Sequence, residues 1–267
     1  MSRFAQVQSA AMTWGVKKTS AILLLLAVFG LICSFRIVTR LFGLEADASH
    51  SLLLWHGVQE HGVGWLSDWL FTPDNWLLSL VPIHFLAFFL FGAKPSIVIL
   101  SGWLIYVGSA FLSAFVAWSL GAKKSAPYIF VFLVNMGLYS HESGFVSYST
   151  SHNITNLFGL AAVLTLVTWV KRPVAWRALL MFVLLAAGAV SDPWMLPAYN
   201  IPILLVGVAL LVLPFRGISL FNLSLLVGVA ALSIIVVRTK LFGQPWFLTS
   251  MHFSIGTWST MIANAIY

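Results

Sequence analysis

The sequence predicts an all-α fold, a polytopic transmembrane bundle of about seven spans with interfacial helices in its first outer loop. Three observations carry that expectation. Charged residues make up 8% of the chain and hydrophobic ones 60%, where a soluble domain carries about 25% charged residues. The mean hydropathy is +0.98, so the bilayer must be the solvent for much of the surface. The basic residues come in ones and twos between long apolar runs, the positive-inside pattern. The net charge of +7 therefore points to membrane topology, and nucleic acid is not an expected partner.

Lys17 and Lys18 precede the first run, 19–41, and Arg36 and Arg40 end it with no cleavage site between. It reads as an uncleaved span behind a cytoplasmic N-terminus, 1–18. Further apolar runs follow at 76–93, 96–120, 126–140, 153–170, 178–190, 195–214 and 219–237. There is no repeat, and the whole of 1–267 reads as one transmembrane domain. Placing Lys123-Lys124, Lys171, Arg172, Arg177 and Arg216 inside makes 126–140 with 153–170, and 178–190 with 195–214, hairpins that turn on the outer side. Parity then leaves 76–93 as an interfacial or re-entrant piece of an outer loop, 42–95. Pro82 and His84 within it agree, and Lys94 opposes. All seven acids of the chain then fall on the outer face: Glu45, Asp47, Glu60, Asp68, Asp74, Glu142 and Asp192. Lysine and arginine alone set the topology, so this clustering is an independent regularity.

Glu45 and Asp47 follow the first span closely, where a carboxylate suits a general base or a shared metal. Arg36 and Arg40 stand one turn apart and fit either pairing with those acids or a lipid phosphate. Trp55, Trp65, Trp69 and Trp76 read first as a belt at headgroup level. Thr72-Pro73-Asp74-Asn75 reads as a turn, with Asp74 a cap for the next helix. The loop from His141-Glu142 to His152 is a weak candidate for a divalent cation, its spacing matching no zinc signature. His152-Asn153 open a helix, where capping is the simple reading. The run 178–190 rises only roughly 20 Å against about 30 Å of hydrocarbon, which predicts a recessed Asp192; an acid at that depth is a functional candidate. Arg238 and Lys240 end the last span on the same side.

These motifs resemble the polytopic GT-C-type glycosyltransferases that use polyprenyl-phosphate sugars. The pattern is an acid-bearing first outer loop (Glu45-Ala46-Asp47), interfacial helices with a Pro73-Asp74-Asn75 turn, a second loop opening a helix with His152-Asn153-Ile154-Thr155, and Ser191-Asp192-Pro193 at the outer end of a short span. The resemblance implies a base in the first loop, Asp47 before Glu45. It implies substrate contacts from Arg36, Arg40, Asp74, His141, Glu142, His152, Asp192, Arg238 and Lys240. It implies a polyprenyl-phosphate sugar donor taken from the lipid bilayer. Members of that family run longer, which makes this chain the N-terminal part of the pattern. A secondary transporter built around Asp192 and a non-catalytic membrane assembly subunit are the alternatives.

Overall fold

A computed structural model describes residues 3–41, 46–67, 69, 74–139, 152–212 and 218–236 of the chain. These residues form nine α-helices and no strand. They are α1 (Arg3–Leu41), α2 (Ala46–His61), α3 (Leu80–Phe91), α4 (Pro95–Ser119), α5 (Ala126–Tyr139), α6 (Asn153–Lys171), α7 (Ala175–Ser191), α8 (Ile201–Val212) and α9 (Leu220–Val236), with a 3₁₀ turn at Val63–Ser67 and a π turn at Leu196–Asn200. Three segments are long and apolar enough to cross a bilayer: Thr19–Arg40, Pro95–Ser119 and Asn153–Lys171.

Helix ends follow local chemistry. Pro95 occupies the first turn of α4, where its missing N–H is no loss. Gly92 ends α3 at φ 83 and Gly121 lies at φ 101 just beyond α4, a conformation glycine adopts without a Cβ penalty. The π turn precedes Pro202. A proline ring clashes with the carbonyl four residues back, and widening to the bond from Ile201 N–H to Leu196 O makes room for it.

Helices pack side by side in the order α1, α5, α4, α6, α7, α9, α8. Small residues let them approach. Ala162, Ala178, Ala189 and Ala230 are buried around Trp169, Met181, Leu185 and Leu226. Hydrogen bonds add to the α1–α5–α4 contact: Asn135 donates to Leu26 O (3.1 Å) and Trp103 to Ser34 Oγ (3.0 Å). The outward faces are apolar, with Leu25, Phe29, Leu205 and Phe221 exposed, as lipid contact requires.

α2 and α3 stand outside this row and roof one end of it. Leu52 and Phe88 pack with Val98 of α4, and Leu54, Leu66, Leu77 and Val81 close the roof on itself. The tryptophans expected as a headgroup belt also pack on neighbouring side chains. Trp76 is buried, Trp55 lies edge-on to Phe85 and Phe88, and Trp65 packs on Trp69. The helix expected over 76–93 begins only at Leu80, because residues 77–79 form a turn. At 12 residues α3 rises roughly 18 Å, short of a crossing.

Candidate functional site

The roof meets the bundle at the end of α7, and the contact is made of hydrogen bonds. Asn75, fully buried, folds its turn by accepting from Leu77 N–H (2.9 Å), and its amide donates to Val190 O (2.9 Å). Trp76 N–H donates to Ser191 O (3.0 Å), and Leu78 N–H to Ser191 Oγ (2.9 Å). Trp76 adopts φ 47 to do this, a left-handed conformation costing about 1–2 kcal/mol for a residue with a Cβ. The turn expected around Asp74 is therefore made by Asn75, and no side-chain bond caps α3.

Beneath this junction lies Asp192, 1% exposed. Its Oδ1 accepts from Trp194 N–H (2.9 Å). Its Oδ2 accepts from the Thr155 hydroxyl and contacts His152 Nδ1 at 2.6 Å. Three donors satisfy most of the carboxylate, the condition under which a buried acid is stable. The burial expected from a short helix is real, but its cause differs. α7 has 17 residues, roughly 26 Å, because Ala175, Trp176 and Arg177 join the apolar run. Asp192 is covered by the docked 75–79 turn and by the start of α6.

His152 stands at the N-cap of α6 but makes no side-chain capping bond. Its ring bonds Asp192 and meets Trp194 edge-on at 5.9 Å. The hydrogen bond to Asp192 raises its pKa above the ordinary 6.5, and the charges of Asp192 and Asp74 add to this against the opposing effect of burial. A cation at a helix N-terminus is disfavoured by about 0.3–1 kcal/mol. A charge-assisted hydrogen bond contributes about 1.5–3 kcal/mol, so Asp192 prevails. Asp74, read as a helix cap and, through the resemblance, as a substrate contact, belongs electrostatically to this cluster, whereas Glu60 is exposed beside His61.

His152 also lines a cavity of about 400 Å³ between α4, α5 and α6, bordered by Tyr106, Ser109, Ser113, Met136, Asn156 and Tyr199. Ser109 donates to Asn153 O (2.9 Å). The cavity therefore opens beside the roof junction, since His152 borders it and bonds Asp192 there.

Asp74, His152 and Asp192 are thus brought together. Arg36 and Arg40 are exposed near the end of α1, and α1 packs on α5 and α4 rather than on α6 or α7. The backbone of Asp47 lies in the first turn of α2, three residues before His50, whose ring is 6.5 Å from that of Trp76. The Asp47 side chain, Glu45, Asp68, His141, Glu142, Arg238 and Lys240 lie outside the described residues. Among the described residues no three His, Cys, Asp or Glu side chains gather as a metal site. Sequence reasoning missed Thr155 and Asn75 as ligands of the junction. Their signals were a hydroxyl one turn into the helix that His152 opens, and an Asx residue at the end of a Pro-Asp turn.

No family model, curated protein or solved structure matches the chain.

Proposed function

We propose that this chain is a membrane glycosyltransferase that moves a sugar from a polyprenyl-phosphate donor to an acceptor on the outer face. The observation that carries this reading is the assembly of three separate motifs, the Asp74-Asn75 turn, His152 and Ser191-Asp192-Pro193, at one junction, with His152 bordering a cavity. Chemistry on a lipid-borne phosphate needs polar groups gathered beside an opening among the helices, and this cluster supports that reading. In this reading α1 and α4 to α9 are seven crossings, and α2 and α3 form the outer roof. The charges support that orientation. Lys171 bonds Ser119 O at the foot of α4 and Arg177 bonds Thr168 O nearby, at the end opposite Asp192.

The first-loop carboxylate Asp47 acts as the base that takes the acceptor proton. Its backbone lies one turn before His50, whose ring neighbours that of Trp76, and this supports the assignment. A transporter reading is less well supported, because Asp192 accepts from three fixed donors and so resembles a structural anion more than an ion-exchange site. Asp47→Asn should abolish sugar transfer from a polyprenyl-phosphate donor, by about 10²-fold or more, while membrane insertion is unchanged. Turnover at the wild-type rate in that variant refutes the assignment of the base.

A further inference from the structure

We propose that His152 is the proton donor to the phosphate oxygen that leaves the sugar, and that Asp192 is the positioning residue that orients its ring. This rests on the glycosyltransferase reading and adds to it the group that meets the leaving phosphate.

Geometry carries the assignment. Asp192 takes Nδ1 of the ring at 2.6 Å, which leaves Nε2 as the nitrogen for a ligand. The ring is half-buried and borders the cavity, so a group seated there reaches it. Asp192 is itself held by Thr155 and by Trp194 N–H, and Trp194 stands edge-on to the imidazole. Three residues, Asp192, Thr155 and Trp194, thus serve one ring orientation, the arrangement of a base or acid fixed by a buried carboxylate.

The charge sets the direction of proton transfer. Asp192 at the end of α7 and Asp74 in the turn before α3 both favour the protonated ring. Tyr106 of α4 and Tyr199 of the π turn are the other titratable groups bordering the cavity. A cationic ring suits a leaving group rather than an acceptor hydroxyl. As the bond from the anomeric carbon to the phosphate oxygen breaks, its electron pair stays on that oxygen, and the phosphate would gain a second negative charge. The proton on Nε2 moves to that oxygen. The acceptor oxygen meanwhile bonds the anomeric carbon and gives its own proton to the first-loop carboxylate. Return of that proton to His152 through solvent closes the cycle.

The test uses the full chain in neutral phosphatidylcholine nanodiscs, with a polyprenyl monophosphate as probe and the uncharged polyprenol as control. Wild type should bind the phosphate about 10- to 100-fold more tightly at about pH 6 than at about pH 9. The probe itself gains charge above about pH 6, so its own ionisation cannot produce that loss. His152→Gln should abolish the pH dependence, and Asp192→Asn should move its midpoint to lower pH while leaving the protein monodisperse. The same profile in all three proteins, or equal affinity for the polyprenol, overturns the proposal. Wild-type turnover in His152→Gln also overturns it and leaves glycosyl transfer standing. Binding that depends on His152 with no sugar transfer by wild type overturns the glycosyltransferase reading instead, and leaves the contact between His152 and phosphate.

Discussion

Asp192 shows how a single buried charge organises its surroundings. An isolated carboxylate in a bundle of this composition is costly, and this one is stabilised by an alcohol, a backbone amide and an imidazole drawn from two chain segments. The pairing couples stability to pH. The folded pKa of His152 is raised above its ordinary 6.5, so the contribution is complete below about pH 6.5 and is lost as pH rises through the higher folded value. The melting temperature in detergent should accordingly fall across that window in wild type and stay level in His152→Gln. A melting temperature that climbs with pH there contradicts the pairing. The residues of this cluster were only partly legible in the sequence. His152 and Asp192 stood out because polar groups between apolar runs are conspicuous. Thr155 did not, because a threonine inside a span most often bonds the carbonyl one turn back, as Thr165 does to Ala161 O.

Elements pack here by giving up volume. A Cβ on Gly159 of α6 would clash with the Tyr199 ring, and one on Gly188 of α7 would meet Met195 at 3.0 Å. Gly159→Ala poses two effects against each other. Helix propensity favours alanine by about 0.8–1.0 kcal/mol, whereas overpacking costs about 1–3 kcal/mol. The clash should win, lowering the melting temperature and displacing Tyr199 from Asn156, to which its hydroxyl is bonded at 3.0 Å. A more stable Gly159→Ala protein shows the π turn to be free to shift. Helix positions were the most legible feature of the chain, since apolar runs and prolines mark them. Their lengths were less so. α7 extends past its apolar run at the start because Ala175, Trp176 and Arg177 are all compatible with a helix whose outer side meets water, and the hydropathy pattern does not register them. α3 is shorter than its run because Trp76 N–H and Leu78 N–H are committed to Ser191.

For the whole molecule, the row of helices and its one-sided roof turn a charge pattern into a geometry. Acids and cations that the sequence assigns to opposite sides lie at opposite ends of the described bundle: Asp74 and Asp192 at the roof, Lys171 and Arg177 at the other end. The topology is tested with Cys33, the sole cysteine, replaced by serine. A cysteine at the exposed position of Glu60 should react with an impermeant maleimide from outside. One at the exposed position of Ala122 should react only after permeabilisation. Reversed labelling inverts the assigned orientation.

The sequence alone determined the all-α class of the fold and the helix sites, because bilayer energetics acts on each segment separately and leaves its mark in composition. Only the tertiary structure decided which polar groups meet. Asp192 is buried by the 75–79 turn lying over the end of α7, more than 110 residues away in the chain for the Asn75–Val190 bond (115). A contact at that separation is set by the packing of α2 and α3 onto the bundle, and no local pattern encodes it.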